Sequence, residues 1–148
     1  MTQEEFIEIL KNEKYSYEIK GDKIIVTHKE TVYLSALTSL PSGVEFKNKG
    51  AVSLYALTSL PPGVEFKNEG YVDLRGLTSI PPDVVFRNEG DVYLDYLTSI
   101  PSGVVFRNGG DVNLESLIGG WLFKWKGNIE GIKSKRLLNK MIKDGMFI

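Results

Sequence analysis

Twenty residues repeat four times without a gap between Thr31 and Gly110, and no other feature of the chain limits its fold so strongly. The copies at 31–50, 51–70, 71–90 and 91–110 share the pattern x-V-x-L-x-x-L-T-S-[L/I]-P-x-[G/D]-V-x-F-[K/R]-N-x-G, and 111–120 begins a fifth. One copy cannot bury its apolar side alone, whereas stacked copies share a continuous core, so the period implies a solenoid. Apolar residues alternate at Val32 and Leu34 and again at Val44 and Phe46, which gives each copy two short strands. Between them Leu37-Thr38-Ser39-Leu40-Pro41 breaks the alternation, and Pro41 cannot donate to a ladder. Asn48 and Gly50 mark the other corner, where a left-handed backbone is expected because Asn and Gly adopt it cheaply. The first coil then turns Val32, Leu34, Leu37, Leu40, Val44 and Phe46 inward. With stacked strands about 4.8 Å apart, five coils extend roughly 20–25 Å.

The flanks read as caps. Thr2-Gln3-Glu4-Glu5 matches a capping box, and Phe6, Ile7, Ile9 and Leu10 follow at helical spacing to about Asn12. Tyr15, Tyr17 and Ile19, then Ile24 and Val26 across Gly21-Asp22, predict a hairpin. Its second arm is also a worn copy of the repeat: Ile24 aligns with Val44, Val26 with Phe46, and His28 with Asn48. At the other end Ile118-Gly119-Gly120 interrupts the fifth copy, Phe123 and Trp125 alternate before a Gly127-Asn128 turn, and Ser134 can cap a last helix. That helix carries Leu137, Leu138, Met141 and Ile142 on one face, ends at Gly145, and leads to an apolar tail, Met146-Phe147-Ile148. The expected architecture is therefore mainly β. A single-domain β-solenoid of leucine-rich-repeat-like, 20-residue coils (31–120) lies between an N-terminal helix and hairpin (1–30) and a C-terminal cap with a basic amphipathic helix (121–148).

Charge is unevenly spread. The chain is net −1, which steers it toward neither nucleic acid nor an acidic membrane, but 31–120 is net −4 and 121–148 net +5. There are no cysteines, which removes disulfides, thiolate nucleophiles and Cys-ligated zinc. The acidic start is no signal peptide, and no stretch reaches the ~18 apolar residues of a membrane span, so a cytoplasmic protein is expected.

The run Val-x-Leu-x-x-Leu-Thr-Ser-Ile-Pro, clearest at 72–81, resembles the short leucine-rich repeats of bacterial proteins over residues 31–120. In those repeats an asparagine follows the strand. Here the asparagines (Asn48, Asn68, Asn88, Asn108) stand at the other corner, after a second strand, which favours a flatter, two-sided β-solenoid over a horseshoe. The wording LTSLP-x-GV-x-F is also similar to small repeat proteins of bacteriophages. That resemblance implies a non-catalytic, protein-binding role, such as an inhibitor acting against a host defence protein.

Catalytic chemistry finds little support. His28 is the only histidine, and a triad or metal site would have to be built on it alone; a corner residue in a capping coil is the simpler reading. The asparagine column reads as structure, bonding along itself and to the turn backbone. Lys47, Lys67, Arg87 and Arg107 form a cationic column, but Glu45 and Glu65 stand on the same face, so mutual pairing is expected there. No aromatics interleave with these cations, which disfavours direct nucleic-acid binding. Clustered carboxylates raise glycoside hydrolysis or calcium, but an outer strand face is expected to be flat, and no Gly-rich Asp-x-Asp loop is present. No enzyme, cofactor or metal is expected.

The outward positions of the first strand refuse to repeat. The columns that start at Thr31, Tyr33 and Ser35 carry Tyr55, Tyr71, Asp73, Arg75, Asp91, Tyr93, Asp95, Asp111 and Glu115 in later copies, and Tyr96 lies next to them. Tyrosine and arginine are enriched at binding hot spots, and the acids suit a partner with a basic surface. These residues are the expected partner-binding face of a protein-interaction module. Alternatively they are merely good outer-strand residues, and the chain is a small-ligand sequestering protein or a structural assembly unit.

Overall fold

The computed structural model describes residues 1–117, 135–145 and 147, with only the backbone of 135–137. The interruption at 118–120, Phe123, Trp125, the Gly127-Asn128 turn and Ser134 lie outside the described residues. Helix α1 (Gln3–Asn12) precedes the hairpin β1 (Tyr17–Lys20) and β2 (Lys23–Val26). The coils then contribute β3 (Val32–Tyr33), β4 (Val44–Phe46), β5 (Val52–Ser53), β6 (Glu65–Phe66), β7 (Val72–Asp73), β8 (Val85–Phe86), β9 (Val92–Tyr93), β10 (Val105–Phe106) and β11 (Val112–Asn113). Helix α2 (Lys135–Lys143) follows.

The chain is a β-solenoid, and its strands fall into two sheets. One runs β1-β2-β4-β6-β8-β10 and the other β11-β9-β7-β5-β3, parallel throughout except for the β1–β2 hairpin. Register follows the repeat, with Val32 opposite Val52, Val52 opposite Val72 and Val72 opposite Val92. The worn copy keeps it too: Ile24 pairs with Val44 and Val26 with Phe46. Because both sides of a coil are strands, both rise by the same ~4.8 Å, and neither side widens the stack into a horseshoe.

The inward columns form one core, in which Val32, Leu54, Leu74, Leu94, Val44 and Phe66 are fully buried and Leu37, in the first coil, only partly so. Phe46, Phe66, Phe86 and Phe106 stack with ring centroids 5.0–5.5 Å apart and planes within 8°. Each phenyl so buried contributes about 1.5–3 kcal/mol of transfer free energy.

The corners differ from expectation in two respects. The left-handed conformation belongs to Gly43, Gly63 and Gly103, with Asp83 in the same column, and not to Asn48 or Gly50. Gly50 is glycine for a steric reason, since a Cβ there would fall on the backbone of Glu30 and Thr31 in the preceding coil. Nor do the asparagines bond one another. Asn68 Nδ2 donates to the carbonyls of Gly50 (3.1 Å), Gly70 (3.0 Å) and Tyr71 (3.2 Å), and the other three repeat the arrangement one coil away. Stacked at coil spacing, each amide reaches backbone before it reaches its neighbour.

Single side chains close one edge of each sheet. At the first coil the Tyr15 hydroxyl accepts from the Tyr33 N–H (3.0 Å) and donates to its carbonyl (3.3 Å). At the far end Asn139 of α2 accepts from the Phe106 N–H (2.7 Å) and donates to its carbonyl (2.8 Å), so one amide stands in for the next strand. Leu138, Met141 and Ile142 bury the apolar face of α2, Gly145 ends the helix with φ 72°, and Phe147 is buried. At the N-terminus Phe6 and Leu10 do the same for α1, whose Thr2–Glu5 capping box is present. These two caps limit strand addition by other chains at β3 and β10.

Candidate functional site

The two outer faces carry different chemistry. On the face formed by β2, β4, β6, β8 and β10, buried Glu45 meets Lys47 (3.0 Å), Lys67 (3.2 Å) and Lys23 (3.8 Å), while Glu65 meets Lys23 and Lys67 at 2.9 Å each. Burial pushes the Glu45 carboxyl up, but the Lys47 and Lys67 hydrogen bonds outweigh it and leave it below the ordinary range. Hydrogen bonds from Lys23 and then Lys67 hold Glu65 at about 2. The expected pairing of the cationic column thus holds for Lys47 and Lys67. It stops at Arg87 and Arg107, where Val85 and Val105 replace the glutamates and, among the described residues, neither arginine forms an ion pair.

This network predicts an acid limb in stability. At neutral pH Glu65 is ionised in folded and unfolded chains, and its stabilisation is whole. As pH falls below the ordinary glutamate value of 4.5, the unfolded chain takes up a proton first, and the contribution drains away until the folded carboxyl protonates near 2. Urea melts from pH 7 to 2.5 should show Glu65→Gln less stable than wild type at neutral pH, with the gap closing between 4.5 and 2.5. A gap that is constant over that range contradicts the network.

The opposite face, on β3, β5, β7, β9 and β11, holds the ten residues whose columns do not repeat. Asp73 is not part of its exposed surface: it is 4% exposed and held by Arg75, whose Nε (3.0 Å) and backbone N–H (3.2 Å) reach Oδ1 and whose terminal nitrogen reaches Oδ2 (2.7 Å). Its role is to fix the arginine. Held in this way, the guanidinium lies 5.9 Å from the Tyr93 ring centroid. Tyr71 meets the same ring edge-on at 5.8 Å. The Tyr93 hydroxyl donates to Asp91 (3.3 Å), and the other Asp91 oxygen accepts from the Asp111 N–H (2.8 Å). Tyr71, Asp91, Tyr93 and Asp111 therefore form one cluster, with Asp111 exposed at its edge.

Beside that cluster the face is not flat. An open groove of about 790 Å³ is lined by Tyr55, Arg75, Tyr93, Asp95, Tyr96 and Glu115, together with Gly76, Asn113 and Ser116. Tyr55 (52% exposed) and Tyr96 (63% exposed) stand at it, and Glu115 is exposed. Burial pushes the Asp95 carboxyl above the ordinary aspartate range, and Glu115 and Asp73 add to the effect, while its own backbone N–H and Arg75 oppose it. Asp95 Oδ2 is shielded from water and has no hydrogen-bond partner.

No family model, curated protein or solved structure matches the chain. Function is therefore read from the face itself. The sequence reading missed Gly76, Asn113 and Ser116. A signal existed in the column Ala36-Ala56-Gly76-Tyr96-Ser116, where the smallest residue precedes the largest. A Cβ at Gly76 would fall on the Tyr55 and Leu57 carbonyls, so this position is glycine because the two coils pack closely there.

Elsewhere the chemistry is structural. The His28 Nδ1 accepts from the Ser16 N–H (3.4 Å), its ring meets Tyr15 edge-on, and its carbonyl takes the Lys49 N–H (3.0 Å) as the column asparagines do in later coils. Among the described residues no three carboxylate or histidine side chains converge as a metal site requires, and no helix is long and apolar enough to cross a membrane.

Proposed function

We propose that the chain is a non-catalytic protein-binding module that engages a basic surface of another protein through the face containing Tyr55, Tyr71, Arg75, Asp91, Tyr93, Asp95, Tyr96, Asp111 and Glu115. One observation carries this reading: the scaffold columns repeat, while this face collects exposed tyrosines and acids around a groove. Exposed aromatics give large contact area at low entropic cost, and fixed Arg75 adds a pre-ordered polar anchor. A binder of this kind occludes the basic surface it covers, as a phage-type inhibitor of a host defence protein does. In its target the covered surface would be one that binds nucleic acid.

Replacing Tyr55, Tyr71 and Tyr96 by alanine should leave the melting temperature near that of wild type, because all three rings are exposed. The same triple variant should lose capture of the partner from a lysate of the source cells. Hot-spot tyrosines cost about 2 kcal/mol each, or ~30-fold in affinity. Alanine at Lys47, Arg87 and Arg107, exposed on the opposite face, should retain capture. If the two triple variants capture equally, the face is misassigned.

A second reading, sequestration of a small ligand, is supported by the groove alone, where Asp95 and Glu115 stand among tyrosines. Calorimetry against nucleotides and sugars tests it, and heat that disappears in Asp95→Asn is the result that would favour it over protein capture.

A further inference from the structure

We propose that the groove on the Tyr/Asp face is a subsite for one arginine side chain of the partner, its guanidinium lying between Tyr55 and Tyr96 and answering Asp95 and Glu115. This rests on the protein-binding reading above and specifies what the face takes. The outermost column reads Tyr55, Arg75, Asp95 and Glu115 in successive coils, so these side chains are neighbours at coil spacing. Arg75 spends its fork on Asp73 and makes no hydrogen bond to Asp95. Two acids therefore stand side by side in the groove and, among the described residues, neither forms an ion pair, although Arg75 is near enough to Asp95 to favour its charged form. Asp95 Oδ2 is also shielded from water and lacks a donor, a state that costs free energy until one arrives.

Arg75 shows which chemistry such carboxylates and rings accept. Arg75 is a planar guanidinium forked onto a carboxylate and set over a tyrosine ring, and the groove beside it offers the same parts: carboxylates and tyrosines. A guanidinium can fork and stack at once, whereas an alkylammonium is a compact charge that does neither. The open groove, about 790 Å³, has room for one such side chain.

The test uses the intact chain and three pentapeptides, acetylated and amidated, with a single Arg, Lys or Gln between glycines. Tyrosine ring resonances are followed by NMR as peptide is added. The Arg peptide should shift Tyr55 and Tyr96 saturably and bind about 10-fold tighter than the Lys peptide, with no saturable shift from Gln. Glu115→Gln, at an exposed position, and Asp95→Asn, which preserves shape, should each weaken the Arg peptide about 10-fold, with melting curves confirming the fold. Equal Lys and Arg affinities would reduce the site to bulk charge, and calcium saturating it and excluding the peptide would make it a cation site; either overturns the proposal. Peptide binding is measured without the partner. Failure here with capture still lost in the tyrosine triple variant removes the arginine subsite and leaves the protein-binding reading standing. Arg-peptide binding with capture indifferent to that variant does the reverse.

Discussion

Asn68→Asp should be the most damaging isosteric substitution in the chain. Asn68 is fully buried, and its amide nitrogen serves the carbonyls of Gly50, Gly70 and Tyr71, in two coils at once. Aspartate keeps the shape but points an oxygen at three oxygens and brings a charge with no partner. Removing one member of a buried polar set in this way costs about 3–5 kcal/mol, a large part of the 5–15 kcal/mol typical of a domain. Asn68→Ala should cost less, about 1–3 kcal/mol, because it leaves carbonyls unserved but adds no charge. The two variants also differ in pH dependence. The new carboxyl, buried and facing acceptors, has its folded pKa raised above its unfolded value, so its penalty is full at neutral pH and shrinks, relative to wild type at the same pH, as the medium is acidified. Once protonated, the introduced carboxyl can return one donor to the carbonyls. Chemical denaturation at pH 7 and pH 4.5 measures both effects, and an aspartate variant as stable as the alanine variant at pH 7 would show that the column does not hold the corner as described.

Gly70→Ala should be the second large effect, and its comparison with Gly63→Ala separates two reasons for glycine. At Gly70 an added Cβ would lie 2.5 Å from Ala51 N, 2.7 Å from Gly50 C and 2.8 Å from Ala51 Cα, all backbone of the preceding coil. No rotamer change relieves it. The coils would have to part, yet the Gly70 N–H to Gly50 carbonyl bond (3.1 Å) and the parallel ladders hold them at fixed spacing. Overpacking against rigid neighbours costs about 3 kcal/mol. Gly63 faces open space, and its constraint is a φ of +83°, so alanine there should cost only about 1–2 kcal/mol. Thermal melts of the two single variants give the ordering, and equal losses would mean that the coil contact at Gly70 is looser than its geometry implies.

The coil was readable in the residues because the constraints that define it are local and recur every twenty positions. Alternation at Val32, Leu34, Val44 and Phe46, the stop at Pro41 and the alignment of Ile24 and Val26 with Val44 and Phe46 required no partner to interpret. The side whose outward columns vary was equally legible, since columns that build coils repeat; its binding role is our proposal. The left-handed position was misplaced because Asn48-x-Gly50 is a turn signal in isolation, and only contact with the previous coil shows that Gly50 is small for clearance while Gly43 bears the positive φ. The cationic column was read as one paired row, although the exchange of Glu45 and Glu65 for Val85 and Val105 divides it.

Composition and period were thus sufficient for the solenoid, its register, its core and the side of it that differs from coil to coil. They could not show which members of that side lie exposed and which turn into the stack. Asp73 and Asp95 look alike in sequence, two aspartates on one variable face. Stacking puts Arg75 onto the first and leaves the second half-buried, unpaired at Oδ2, in a groove it lines with Glu115, Tyr55 and Tyr96. These relations are between residues about twenty positions apart, at distances set by strand spacing and side-chain volume, and they exist only once the coils are laid on one another.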